Sequence, residues 1–358
     1  MSQALQELYA LIEPVDLSLR ARAHARLDSL AKPRGSLGRL ESLAVRLFCI
    51  GGGTLPLRVD PAVVFTVAGD HGVAAEGVAL YPQSVTRQMV RNFLHGGAAI
   101  NVLSQVASAE LFVVDAGCVG GPFDEHPQLI TVRIGNGTAN IAAGSAMSLE
   151  DCARAVLAGA DIAAGAAGMG CRCIAVGEMG IANSTVAAAL CCAYLELPPE
   201  DMAGPGAGLP PAGLEHKIRV VRSALESNKS AVASRDPLAV LAALGGFEIA
   251  VMTGIILGAA RHKLPVVVDG FISTAALAAA ENVCPLVAGY CILSHASAEP
   301  GHLRLVQRLH SQTPLLDLGM RLGEGTGSAL ALVLLRAAAA IYNDMTTLDE
   351  TGAHGQQA

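Results

Sequence analysis

Short runs of consecutive apolar, mostly β-branched residues recur along this chain, and each stops at a Gly, Asp, Glu or Ser. Val63–Ala68 precedes Gly69-Asp70-His71, Leu111–Val114 precedes Asp115-Ala116-Gly117, and Leu129–Ile134 precedes Gly135-Asn136-Gly137. Ile174–Val176 runs into Gly177-Glu178-Met179-Gly180, Pro265–Val268 into Asp269-Gly270, and Leu286–Leu293 into Ser294-His295. Between them lie Ala-rich stretches of helical length: Gly97–Ala107, Ser148–Gly165, Ser184–Tyr194 and Ile272–Asn282. Unbroken apolar strands alternating with helices predict an α/β fold with a doubly wound, mostly parallel, Rossmann-like sheet covered on both faces. Such sheets receive ligands beyond the carboxyl ends of their strands. The polar residues of this chain sit at those ends.

The ends of the chain read differently. Leu5, Leu8 and Ile12, then Leu37, Leu40, Leu43 and Leu47, keep helical spacing without strands, and Gly327–Asp344 reads as one long helix. These segments predict a small helical domain built by both termini: residues 1–55 and 328–358, around a large α/β domain at 56–327. Gly204–Gly213, rich in Pro and Gly, is expected to be a loop, and Glu350–Ala358 a frayed tail. No internal repeat is present.

Of the 358 residues, 52% are apolar, 15% are charged and only 3% are aromatic, with no Trp. The core must therefore pack through small side chains at close approach. A net charge of −7 disfavours nucleic acid and anionic membranes as partners, because both require a basic face. The nine cysteines are odd in number and contain no C-x-x-C pair, which suits reduced thiols in a cytoplasmic protein. Met1–Glu13 lacks the basic-then-apolar order of a signal peptide. The apolar stretches Gly246–Ala260 and Ser328–Tyr342 carry Glu248 and Arg336 and fall short of ~20 residues, so neither is expected to span a membrane.

Four segments can carry chemistry. Gly177–Thr185 follows a strand and opens a helix; Asn183 or Ser184 can cap that helix, whose N–H groups would meet an anion. Glu178, at the strand tip, has no obvious packing purpose and can hold ribose hydroxyls. Gly204-Pro205-Gly206-Ala207-Gly208-Leu209 imitates a dinucleotide fingerprint but follows no strand and has the wrong spacing. Lys217 reads either as a phosphate counter-charge or, more commonly for such a pattern, as a solvated surface lysine. Asp70 and His71 read as a metal or base pair, or, as we prefer, as braces of a polar turn. Metal-protease spacings, a G-x-S-x-G elbow and a Walker loop are all absent, so no metal or cofactor is expected. Leu322-Gly323-Glu324-Gly325-Thr326-Gly327 stands out: three glycines around one Glu, directly before a long helix, suggest a ligand loop rather than a residue that only complements a helix dipole.

These segments resemble the nicotinate-nucleotide–dimethylbenzimidazole phosphoribosyltransferase family. The resemblance includes Lys32-Pro33-Arg34-Gly35-Ser36-Leu37-Gly38, Ala68–Val73, Tyr81-Pro82 through Gln88-Met89, Gly177–Thr185 and Val268-Asp269-Gly270-Phe271. It continues through Ser294-His295, Glu299–His302 and Arg321–Gly327, in the family's order over roughly residues 5 to 347. It implies a homodimer that takes nicotinate mononucleotide and a benzimidazole-type base, with Glu324 as catalytic base. It further implies Ser84, Gln88 and Leu318 or Met320 around the benzimidazole, and Glu178, Gly180, Ser184, Gly206, Lys217 and Ser294 around the nucleotide.

The chemistry suits this equipment. A cationic pyridinium leaves as a neutral ring and needs no general acid, whereas the attacking imidazole-type base must lose a proton. One carboxylate is the minimum requirement, and attack from the face opposite the nicotinate inverts the anomeric carbon. Two other readings remain open on the residues alone: a nicotinamide-dependent oxidoreductase, and a non-catalytic nucleotide-binding protein that would not need Glu324.

Overall fold

The computed structural model describes residues 3–309 and 313–352. Six strands, β1 (Ala62–Gly69), β2 (Glu110–Gly117), β3 (Leu129–Thr131), β4 (Cys173–Met179), β5 (Val266–Val268) and β6 (Cys291–Leu293), form one sheet. The helices before β4 are α1 (Gln3–Ala10), α2 (Arg20–Ser29), α3 (Arg39–Ile50), α4 (Ser84–Leu94), α5 (Ala99–Val106) and α6 (Leu149–Gly168). After β4 come α7 (Asn183–Leu195), α8 (Pro199–Met202), α9 (Pro211–Ser227), α10 (Lys229–Ser234), α11 (Pro237–Leu244) and α12 (Phe247–Arg261). The last three are α13 (Phe271–Val283), α14 (Pro300–Arg308) and α15 (Thr326–Asp344).

All pairings are parallel, in the order β3-β2-β1-β4-β5-β6. The chain winds outward from β1 to β3, crosses back, and winds the other way from β4. The switch point therefore lies between β1 and β4, whose register pairs Val67 with Glu178 and Ala68 with Met179. Gly69-Asp70-His71 and Glu178-Met179-Gly180 consequently emerge side by side. All of β1 is buried, as its unbroken apolar run requires when helices cover both faces.

Alternation along β1 separates two cores. Val63, Phe65 and Val67 face the layer of α6, α7, α12 and α13, while Val64 and Ala68 face that of α3, α5 and α15. Small residues let the layers approach closely, as the composition suggested: a side chain at Gly254 of α12 would overlap the Val156 carbonyl of α6. All nine cysteines are buried and unbridged.

Several boundaries differ from expectation. Of Leu129–Ile134 only Leu129–Thr131 pairs as strand; the N–H groups of Val132, Arg133 and Ile134 turn back to the carbonyls of Asp115 and Ala116. Leu286–Leu293 divides, because Pro285 starts a helical turn through Gly289 and only Cys291–Leu293 joins the sheet. The 204–213 loop ends early, since Pro211 occupies the first turn of α9. Gly204–Leu209 follows α8, not a strand, which removes the setting a dinucleotide fingerprint needs.

The terminal helices divide between the sheet's two faces. Leu5 and Leu8 of α1 join the core shared with α12, whereas α3 and α15 pack together on the opposite face. Among the described residues only α15 is long and apolar enough to cross a membrane, and more than half of it is buried against β1, β4, β5, α3 and α5. Residues 353–358 of the expected tail lie outside the described residues.

Candidate active site

A cavity of about 560 Å³ opens at the switch point, within the size range of small-ligand sites. Glu178, Gly180, Asn183, Ser184, Gly206, Glu299, Arg321 and Glu324 supply its polar lining; Tyr81, Val85, Met89, Ile272 and Leu322 form an apolar wall. A narrower recess between Gly180–Ser184 and Pro205–Ala207 adjoins it.

The loop carrying Glu324 is held by three strands. The Asp269 carboxylate, just past β5, accepts the Gly325 N–H at 2.9 Å, the Gly327 N–H at 2.8 Å and the Ser328 N–H at 3.1 Å. From β1, the Thr66 hydroxyl donates to the Glu324 carbonyl at 2.6 Å. The Glu324 N–H donates to the Glu178 carbonyl of β4 at 3.1 Å. A side chain at Gly177 would collide with the Gly325 backbone, so glycine is required where this loop crosses β4. Glu324 itself sits at φ 65° in the left-handed region, which a non-glycine residue occupies only when its surroundings hold it there. The residue is 5% exposed and its Oε2 has no hydrogen-bond partner. Burial raises its pKa, opposed by the Ile100 N–H at the start of α5.

The other end of the cavity gathers groups that can receive an anion. Contrary to expectation, neither Asn183 nor Ser184 caps α7: the N-cap is Ala182, no side chain bonds there, and the Asn183 amide donates instead to Glu178 Oε2. The helix N-terminus is left facing the recess with its positive dipole end. Lys217 is fully buried behind it, its Nζ donating to Ser184 Oγ and the Gly204 carbonyl at 2.9 Å each. The surface-lysine reading is thereby corrected. Helix α9 turns Lys217 inward along with Val220, Val221 and Ala224, and a lone lysine in a sequence does not reveal which face of its helix is covered. Burial lowers its pKa to about 8, with the Glu299 carboxylate opposing the fall.

Carboxylates crowd the β4 end. Burial first, then Glu248, Asp269 and Glu324, hold Glu178 well above the usual carboxylate range, against the Asn183 hydrogen bond. Burial likewise raises Asp269 to about 7, resisted by the backbone N–H groups it accepts. His71 lies wholly buried with its Nε2 2.9 Å from Glu248 Oε1. Burial disfavours charge on this imidazole, but Glu248 outweighs it and raises the pKa. Asp70 accepts the Val119 N–H at 2.8 Å. Both residues thus brace the switch-point loops.

Glu178, Gly180, Ser184, Gly206 and Glu324 meet in one cavity, with Lys217 directly behind Ser184. Ser84 and Gln88 are exposed on α4, and the cavity is lined by Val85 and Met89 instead. Residues i and i+4 share a helix face, and the neighbouring pair lies about 100° round. Leu318 is 59% exposed, Met320 offers its carbonyl to the Ala298 N–H at 2.9 Å, and Leu322 forms the wall. Ser294 is buried beyond β6 beside His295, 3.1 Å from its Nδ1, and does not line the cavity. Sequence reasoning gave Asn183 only a capping role and assigned none to Glu299, Arg321 or Asp269. Of these, Asp269 and Glu299 at least followed strand tips.

Doubly wound sheets receive nucleotides at their switch point. Here one carboxylate on a rigid loop shares the cavity with an uncapped helix N-terminus backed by a buried lysine, equipment that suits group transfer. The chain belongs to the phosphoribosyltransferase family whose model matches residues 12–353. It is 60% identical over 352 residues to the nicotinate-nucleotide–dimethylbenzimidazole phosphoribosyltransferase of Nitratidesulfovibrio vulgaris (strain DP4), covering 98% of each chain. The enzyme of that name from Chlorobaculum tepidum is 49% identical over 356 residues, covering 99% of each. A crystal structure of the Thermus thermophilus enzyme, also so named, superposes with a TM-score of 0.87 at 42% identity, covering 95% of this chain and 99% of that one.

Proposed function

We propose that this protein transfers the phosphoribosyl group of nicotinate mononucleotide to 5,6-dimethylbenzimidazole, releasing nicotinate and forming α-ribazole 5′-phosphate. The observation that carries this is the buried Glu324 carboxylate, with its Oε2 free of partners, sharing a cavity with the Ser184–Lys217 corner. The phosphate docks on the α7 N-terminus with Ser184, Gly180, Gly206 and the Lys217 ammonium. The benzimidazole packs on Tyr81, Val85, Met89 and Leu322 and presents its N–H to Glu324. As Glu324 takes that proton, the opposite ring nitrogen attacks the anomeric carbon and nicotinate leaves from the other face. The β-nucleotide thereby becomes an α-nucleotide. General-base assistance contributes ~10²–10⁴-fold, and alignment of the two reactants up to ~7–11 kcal/mol. A partly buried carboxylate with a raised pKa is suited to this role.

The proposal includes a cytoplasmic homodimer, supported by the family resemblance and by an apolar composition that would burden a monomer with exposed patches. The decisive assay is nicotinate release against a panel of benzimidazoles, purines and phenols, with product stereochemistry read by NMR. No base-dependent nicotinate release, or a β-configured product, would overturn this function.

A further inference from the structure

We propose that Glu299 accepts hydrogen bonds from the ribose hydroxyls of the bound nucleotide and so selects ribose over deoxyribose donors. This rests on the reading that a phosphoribosyl nucleotide fills the switch-point cavity.

Glu299 follows β6 and precedes Pro300, the first residue of α14. It occupies the N-cap position, yet its side chain makes no capping bond and instead lines the cavity beside Ser184, Gly206, Arg321 and Glu324. Only 5% of the residue is exposed; among the described residues the Gly206 N–H is the one backbone donor that reaches its carboxylate, and neither oxygen holds a well-aligned hydrogen bond. A buried carboxylate with so few donors of its own is costly unless others arrive. The protein's nearby donors are largely committed. Lys217 donates to Ser184 and the Gly204 carbonyl, and Arg321 donates to the Gly206 carbonyl at 2.8 Å.

The position identifies which donors arrive. Glu299 packs against Gly204, where any side chain would strike its Oε2, and Gly204 is also bonded to Lys217. The carboxylate is thus adjacent to the phosphate corner, a place where negative charge opposes an anionic ligand. Beyond balancing the charge of Lys217 and Arg321, such a group can serve a ligand that also brings hydrogen-bond donors. Next to its phosphate a nucleotide carries two adjacent ribose hydroxyls, which match the two oxygens of one carboxylate. Glu178, the competing acceptor, already holds the Asn183 amide and is hemmed in by Glu248, Asp269 and Glu324.

The test is calorimetric binding of ribose 5-phosphate, 2-deoxyribose 5-phosphate and 3-deoxyribose 5-phosphate to the full chain and to Glu299→Ala, Glu299→Gln and Lys217→Ala. The intact protein should bind ribose 5-phosphate about ten- to a hundredfold more tightly than at least one deoxy sugar. Glu299→Ala should lose that factor for the ribose ligand and leave the weaker deoxy sugar within about twofold. Glu299→Gln, which keeps the packing and one acceptor, should fall between. Lys217→Ala should weaken all three sugars alike. An undiminished ribose preference in either folded Glu299 variant would overturn the assignment. So would equal weakening of all three sugars, which would make Glu299 a counter-ion for Lys217 alone. Failure of every phosphosugar and of nicotinate mononucleotide to bind the intact protein would remove the proposed function, and this assignment with it.

Discussion

Glu324→Gln keeps the size of the side chain and one of its acceptors but removes the ability to take a proton. If Glu324 is the base, kcat should fall by ~10²–10⁴-fold, a barrier increase of about 2.7–5.5 kcal/mol. The nucleotide should still bind, because the Ser184–Lys217 corner does not involve Glu324. A role limited to complementing the α15 dipole would cost only ~0.3–1 kcal/mol of stability and leave turnover intact. The structure weighs against that lesser role, because Asp269 already accepts three N–H groups at this helix end. Burial raises the Glu324 pKa, so ionising this carboxyl in the folded state is unfavourable, and Gln should hold or slightly raise the melting temperature at a pH of about 8. The same shift sets the pH profile. Activity of the native protein should decline as pH falls through a value above the ordinary glutamate range, and the residual activity of the Gln variant should lack that limb. Nicotinate release and thermal melting measured on one preparation separate these outcomes. Near-native kcat in a folded Glu324→Gln protein would refute the assignment and make Glu178 the next candidate.

Lys217→Ala should raise the donor KM about tenfold or more near neutral pH, since a charge-assisted contact is worth ~1.5–3 kcal/mol. With the ammonium pKa lowered to about 8 by burial, donor KM in the native protein should climb above that pH; an unchanged KM in the variant would contradict the phosphate role. Glu178 has a folded pKa above its unfolded one, so its contribution to stability is present below the ordinary carboxylate pKa and is lost as pH rises through the raised value. Melting curves from about pH 5 to 8 should therefore fall more steeply for the native chain than for Glu178→Gln, and parallel curves would disprove the coupling. Activity should survive excess EDTA, because a donor with one phosphate and a neutral leaving group asks for no bridging cation; loss restored by magnesium would count against this. Sedimentation equilibrium at micromolar concentration should give the dimer mass, and a monomer mass would dismiss the homodimer.

The class of fold and the address of the site were legible in the residues alone. A strand buried on both faces must be apolar throughout, so β1 and β4 were visible as unbroken runs, and the polar residues that ended them had to emerge where parallel sheets receive ligands. Glu324 was legible for a local reason: three glycines around one acid leave few structures other than a tight loop. Whatever depends on which elements meet came from packing instead. Lys217 has no local mark of burial; it is inside because α9 turns that face toward α7. Val85 and Met89 replace Ser84 and Gln88 because the packing of α4, not its composition, sets its rotation. Leu286–Leu293 looked like one strand, but Pro285 opened a helical turn before the sheet began. The pairing of Glu178 with Glu324 across the switch point, and the placement of Glu299 beside Lys217, join residues more than 80 positions apart in the chain. Separations of that length leave no periodicity in a sequence; the groups meet because the parallel sheet brings the ends of β4, β5 and β6 to one edge and α9 packs beside α7.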